Sequence, residues 1–83
     1  LYALGREIVA EEGLDFEVLR PLIAETTAKA LDSGNPAAVQ TGPARRGDKE
    51  VIERHIAMLG KDDIKGKIYN DITDSIWETS KRI

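Results

Sequence analysis

Eight consecutive residues, Thr41-Gly42-Pro43-Ala44-Arg45-Arg46-Gly47-Asp48, carry most of the chemistry this chain can offer. Two guanidinium groups stand in a segment bounded by glycines and stiffened by a proline, beside an aspartate suited to opening a helix. Guanidinium forks and free amides at a helix start both favour carboxylate or phosphate oxygens, so the segment suits an anionic ligand. A plainer reading needs no ligand: Gly42 and Gly47 permit turn angles, Asp48 caps a helix, and both arginines are solvated. His55, the single histidine, follows Asp48 by two helical turns and is able to face the same side. An imidazole there could donate a proton or contact a substrate near neutrality. Equally, Val51 and Leu59 flank it at four-residue spacing, which places it on an apolar stripe at the edge of a core.

Sharper motifs fail on inspection. The segment lacks the Lys-Ser/Thr ending of a phosphate-binding P-loop, and nowhere is there the glycine-rich strand-turn-helix fingerprint of a dinucleotide site. The Arg46-Gly47-Asp48 tripeptide resembles an adhesion motif only by chance. With no cysteine, thiol catalysis, disulfides and cysteine-ligated zinc are excluded, and one histidine cannot build a multi-histidine metal site. The net charge of −3 comes from 12 basic and 15 acidic residues spread along the chain, which argues against nucleic acid as a partner. No apolar run approaches the roughly 20 residues of a membrane span. The expectation is a cytoplasmic protein.

The elements that must position these residues read as helices throughout. In the first, Leu1, Leu4 and Ile8 share a face and Gly13 closes it as a left-handed cap. Asp15 is placed to cap a second, whose face holds Phe16, Leu19, Ile23 and Ala30, with Gly34 as its stop. Pro21 poses a choice: either the helix bends there, or Pro21 starts a helix preceded by a separate turn. Asn35-Pro36 opens a short turn through Ala37, Ala38 and Val39, and a loop from Gln40 to Gly47 follows. Asp48 caps a third long helix with Val51, Ile52, His55, Ile56 and Leu59 inward and Gly60 at its end. Asp62 or Asp63 caps the last, where Ile64, Ile68, Ile72 and Ile76 form an apolar ridge. Trp77 lies off that ridge and either packs beneath another element or sits at a contact surface. Gly5 and Gly66 are candidates for close helix crossings. The expected fold is all-α: a compact bundle of about four helices plus a short helical turn, in one domain spanning residues 1–83.

The Thr41-Gly42-Pro43 and Arg46-Gly47-Asp48 segments, then Val51, His55-Ile56 and Leu59, resemble a family signature. It is that of the helical C-terminal domain following a Rossmann-like NADP-binding domain in bacterial oxidoreductases related to pyrroline-carboxylate and ketopantoate reductases. The Gly13-Leu14-Asp15 turn and Pro36-Ala37-Ala38 also match, so the likeness covers nearly the whole chain. Arg45 departs from it where a small residue is usual, and Glu50 where threonine is common.

The resemblance implies a helical domain similar to the C-terminal part of 6-phosphogluconate dehydrogenases, with NADP held mainly by an N-terminal nucleotide-binding domain outside these residues. It implies a cleft between the two domains, a homodimer, and a small anionic substrate. Gly42, Pro43, Arg46, Gly47 and Asp48 would line the substrate side, with His55 as catalytic residue. The rival expectation is a non-catalytic helical interaction module, or an inactive scaffold descended from the same family.

Overall fold

The computed structural model describes residues 1–82, which are helix, turn or irregular chain with no strand among them. They form two compact units, one spanning Leu1–Gly34 and the other running from Asn35 onward. No helix among the described residues is long and apolar enough to cross a membrane. The all-α expectation holds.

In the first unit, α1 (Tyr2–Glu11) carries Leu4, Ile8 and Val9 half-buried. Gly13, at φ 73°, ends it as expected: its amide donates to the Ala10 carbonyl and the Leu14 amide to the Val9 carbonyl, each at 2.9 Å. That pair of bonds is a Schellman cap. A single 3-10 turn, Phe16–Leu19, follows, and the Asp15 carboxylate accepts from the Glu17 amide at 2.9 Å.

Helix α2 (Arg20–Asp32) then starts with Pro21 inside its first turn, where the missing N–H has no intrahelical acceptor to lose. The second alternative for Pro21 is therefore the observed one, and Asp15 caps the 3-10 turn rather than α2. Gly34 does not make the stop expected of it. Ser33 does, by turning extended at φ −84° and ψ 140°.

In the second unit the Asn35 side-chain oxygen accepts from the Ala37 amide at 3.2 Å and opens a 3-10 turn, Pro36–Val39. The expected loop from Gln40 to Gly47 contains a helical turn, α3 (Pro43–Arg46). Four residues are too few to show a period in sequence, which is why this turn reads as loop. Helix α4 (Lys49–Leu59) opens on Asp48 and closes on Gly60 at φ 95°. Asp63, rather than Asp62, caps α5 (Ile64–Ser80), accepting from the Lys65 amide at 2.9 Å. Helices α3, α4 and α5 pack on one another in pairs, and the Pro36–Val39 turn rests against α5.

The face that α5 turns to its neighbours overlaps the isoleucine ridge only in part: Ile68 and Ile76 are half-buried, while the other two isoleucines lie outside it. Its buried residues are Gly66 and Thr73. At 100° per residue, Gly66, Asn70, Thr73 and Trp77 fall within about 60° of one another, and the ridge centre lies roughly 150° away. Ile64 and Ile72 are accordingly 60% and 41% exposed. The cause is close approach: a Cβ at Gly66 would collide with the Gly60 carbonyl oxygen, so the small residue fixes where α5 crosses the end of α4. Gly5, by contrast, only faces Leu19 Cδ1 at an ordinary 3.5 Å and marks no such crossing.

Candidate functional site

The arginine turn is built by consecutive caps. Gly42 takes φ 101° and ψ −178°, a region open essentially to glycine alone, and turns the chain into Pro43, the first residue of α3. Gly47, at φ 66°, ends α3: its amide donates to the Ala44 carbonyl at 3.3 Å and the Asp48 amide to the Pro43 carbonyl at 3.0 Å. Asp48 thus closes α3 with its amide and opens α4 with its carboxylate, which accepts from the Val51 amide at 3.3 Å. One residue joins two helices with no slack between them. The capping role read from the sequence is what the carboxylate performs.

Ala44 anchors this turn; among the described residues of the unit it is the buried apolar side chain, 8% exposed. Arg46 points outward and makes no ion pair among the described residues, whereas Arg45 is half-buried. A solvated guanidinium beside a rigid turn retains its full set of donors for an oxyanion.

Beneath the turn a groove of about 490 Å³ runs between α3, α4 and α5, floored by Ala44, Ile52, Ile56, Thr73 and Trp77. Lys49, Glu53, Asn70 and Asp74 provide its polar groups. Glu53, Ile56 and Asn70 also line a second hollow of about 750 Å³ toward Gly66, so the two adjoin along the α4–α5 seam. Of the residues nominated from sequence, Gly47 lines the groove; Gly42, Pro43, Arg46, Asp48 and His55 are not among its lining.

His55 is turned instead toward Tyr69 of α5. Its Nδ1 lies 2.7 Å from the Tyr69 hydroxyl oxygen, and the two rings meet edge to face with centroids 5.6 Å apart at 81°. Both side chains are half-buried. The imidazole is therefore paired with a phenol rather than sealed among aliphatic neighbours, and its partner is Tyr69 rather than Arg46.

Sequence reasoning missed Tyr69. A usable signal was present, since His55 and Tyr69 are equidistant from Asp62 in the turn joining two antiparallel helices, the placement that sets residues of a helical hairpin face to face. It also missed Thr73 and Asn70, because an apolar ridge drawn through the isoleucines passes over polar residues.

A pyrophosphate cradle of the expected kind needs a strand feeding a glycine turn and a helix, and the described residues contain no strand.

The model of a domain of unknown function, DUF2520, matches residues 1–76. Among solved structures, the crystal structure of a candidate NADP oxidoreductase from Bacteroides fragilis is similar, at 40% sequence identity and a TM-score of 0.85. The match covers 93% of this chain and 29% of that one, so this chain spans less than a third of its neighbour's length. No curated protein matches the chain significantly.

Proposed function

Because this chain belongs to the DUF2520 family, we propose that it is the substrate-side and dimerisation domain of an NADP-dependent oxidoreductase. The observation carrying this reading is the 40% identity over 93% of the chain with part of a candidate NADP oxidoreductase. NADP is held mainly by a Rossmann-like domain elsewhere in the parent chain, which works in the cytoplasm. The fold belongs with the C-terminal domains of 6-phosphogluconate dehydrogenases.

On this reading Arg46 holds a carboxylate or similar anionic group of a small substrate, with Gly42, Pro43 and Gly47 fixing the turn that carries it. Asp48 locks that turn to α4, and His55, two helical turns along α4, contacts an oxygen of the same substrate. The exposed isoleucines of α5 form the face that meets a second copy, since apolar residues standing free on a soluble helix gain most from being covered.

The test compares the full-length parent protein with its Arg46→Ala and His55→Ala variants, following NADPH oxidation against a panel of small oxo acids and imines. A loss of about a hundredfold in kcat/KM in either variant is expected for an oriented charge or proton contact. Unchanged kcat/KM in both removes these residues from the reaction.

A second reading, a non-catalytic helical module or an inactive scaffold of the family, draws support from one observation: Arg46 and His55 do not line the groove that Gly47 lines. NADP binding by the parent protein without turnover on any substrate of the panel would favour it.

A further inference from the structure

We infer that Tyr69 is a positioning residue: its hydroxyl donates to Nδ1 of His55 and leaves the proton of the neutral imidazole on Nε2, the nitrogen that then meets an oxygen of the ligand. This rests on the reading of His55 as a substrate contact. A neutral imidazole has one donor and one acceptor nitrogen, and the hydrogen bond made by one decides the state of the other. Two directions are open to a phenol–imidazole bond, and they are not equal. Phenols, with an ordinary pKa of about 10, are far stronger acids than a neutral imidazole N–H, and the imidazole lone pair is the stronger base. The 2.7 Å separation agrees with an O–H donor, whose bonds cluster at shorter distances than those of N–H donors.

The ring is held in a second way as well. The edge-to-face contact at 81° fixes its plane while the hydrogen bond fixes its rotation. The two side chains come from different helices, α4 and α5, so the Gly60–Asp63 connection and the Gly66 crossing set the pairing. The consequence is chemical selectivity. An Nε2–H donor suits an acceptor such as a carbonyl or carboxylate oxygen and disfavours a protonated amine, which narrows the ligand of this site to one that presents an acceptor.

Long-range proton–nitrogen correlation spectra of the full-length parent protein, with the His55 signals assigned by their loss in His55→Gln, are taken at about pH 8.5, where ordinary imidazoles are neutral, and report which nitrogen is protonated. The expected result is Nε2–H, with an Nδ1 shift moved by the phenolic proton, and in Tyr69→Phe the tautomers relax toward the mixture of free imidazole. Protonation at Nδ1 in the wild type, or an unchanged tautomer signature in Tyr69→Phe, overturns the inference. In the full-length protein Tyr69→Phe is expected to lower kcat/KM about tenfold, mainly in kcat, as a fraction of what a proton contact contributes. If His55→Ala is costly and Tyr69→Phe is not, the positioning role alone fails. If His55→Ala changes nothing, the substrate-contact reading fails and this role goes with it.

Discussion

The backbone of Gly47 lies against the indole of Trp77, so closely that a Cβ at Gly47 would stand 2.9 Å from Trp77 Cζ3. The indole supports the arginine turn from below, and Lys81 Nζ sits 5.2 Å from the ring centroid. Trp77 nonetheless remains 39% exposed. It therefore packs beneath another element and still presents surface.

Replacing Gly47 by alanine imposes two costs together. Left-handed backbone costs a non-glycine residue about 1–2 kcal/mol, and displacing the indole adds about 1–3 kcal/mol of overpacking. Gly13, at φ 73° with nothing within 4 Å of a Cβ, isolates the backbone part. Thermal melts of both variants should show Gly47→Ala as clearly the worse, with a shifted emission from the single tryptophan. Equal losses would mean that the indole contact contributes nothing.

Gly66 and Gly5 are both helical glycines with opposite expectations. Gly66→Ala drives a methyl into the Gly60 carbonyl and should cost about 3 kcal/mol or more, with α5 pushed off its crossing. Gly5→Ala meets only Leu19 at an ordinary distance and should stabilise by about 0.5–1 kcal/mol through helix propensity. Urea denaturation of the two variants decides it, and a tolerated Gly66→Ala would contradict the crossing.

Asp48→Ala removes the N-cap of α4 and should cost about 1 kcal/mol, while Asp48→Asn keeps the acceptor and should cost a few tenths. Because the carboxylate fixes the start of α4 directly after the arginine turn, the stability loss should, if Arg46 holds an anion as proposed, be accompanied by weaker inorganic phosphate binding, measured by calorimetry. Phosphate affinity indifferent to Asp48→Ala would separate the cap from the anion contact.

Ile72→Lys places a charge on the exposed side of α5, away from Gly66, Thr73 and Trp77. Light scattering coupled to size exclusion should show a dimer for the parent protein and a shift to monomer in the variant, with its helical circular dichroism unchanged. A wild-type monomer at all concentrations would refute the dimerisation face.

Helix identity was legible wherever a cap and a period agreed. Asp48 with Val51, Ile52 and Ile56 foretold α4, and Gly13 foretold the end of α1. What the sequence concealed follows from packing rather than propensity. Pairing apolar residues at four-residue steps favours the isoleucine ridge, but the closest approach belongs to the smallest side chain, and Gly66 sets it. The turn Pro43–Arg46 is too short to announce itself. Within the candidate site, Gly42, Gly47 and Asp48 could be read as backbone devices from their own chemistry. The His55–Tyr69 pair shows only once the two helices are folded back on each other about Asp62, a step beyond the chemistry of either residue alone.

The two sides of α5 answer to different demands. Gly66 and Thr73 are buried and Trp77 supports the arginine turn, while Ile64 and Ile72 stand exposed. Exchange of Ile64 or Ile72 is thus free to reshape what that side of the helix offers while the indole beneath the arginine turn stays in place.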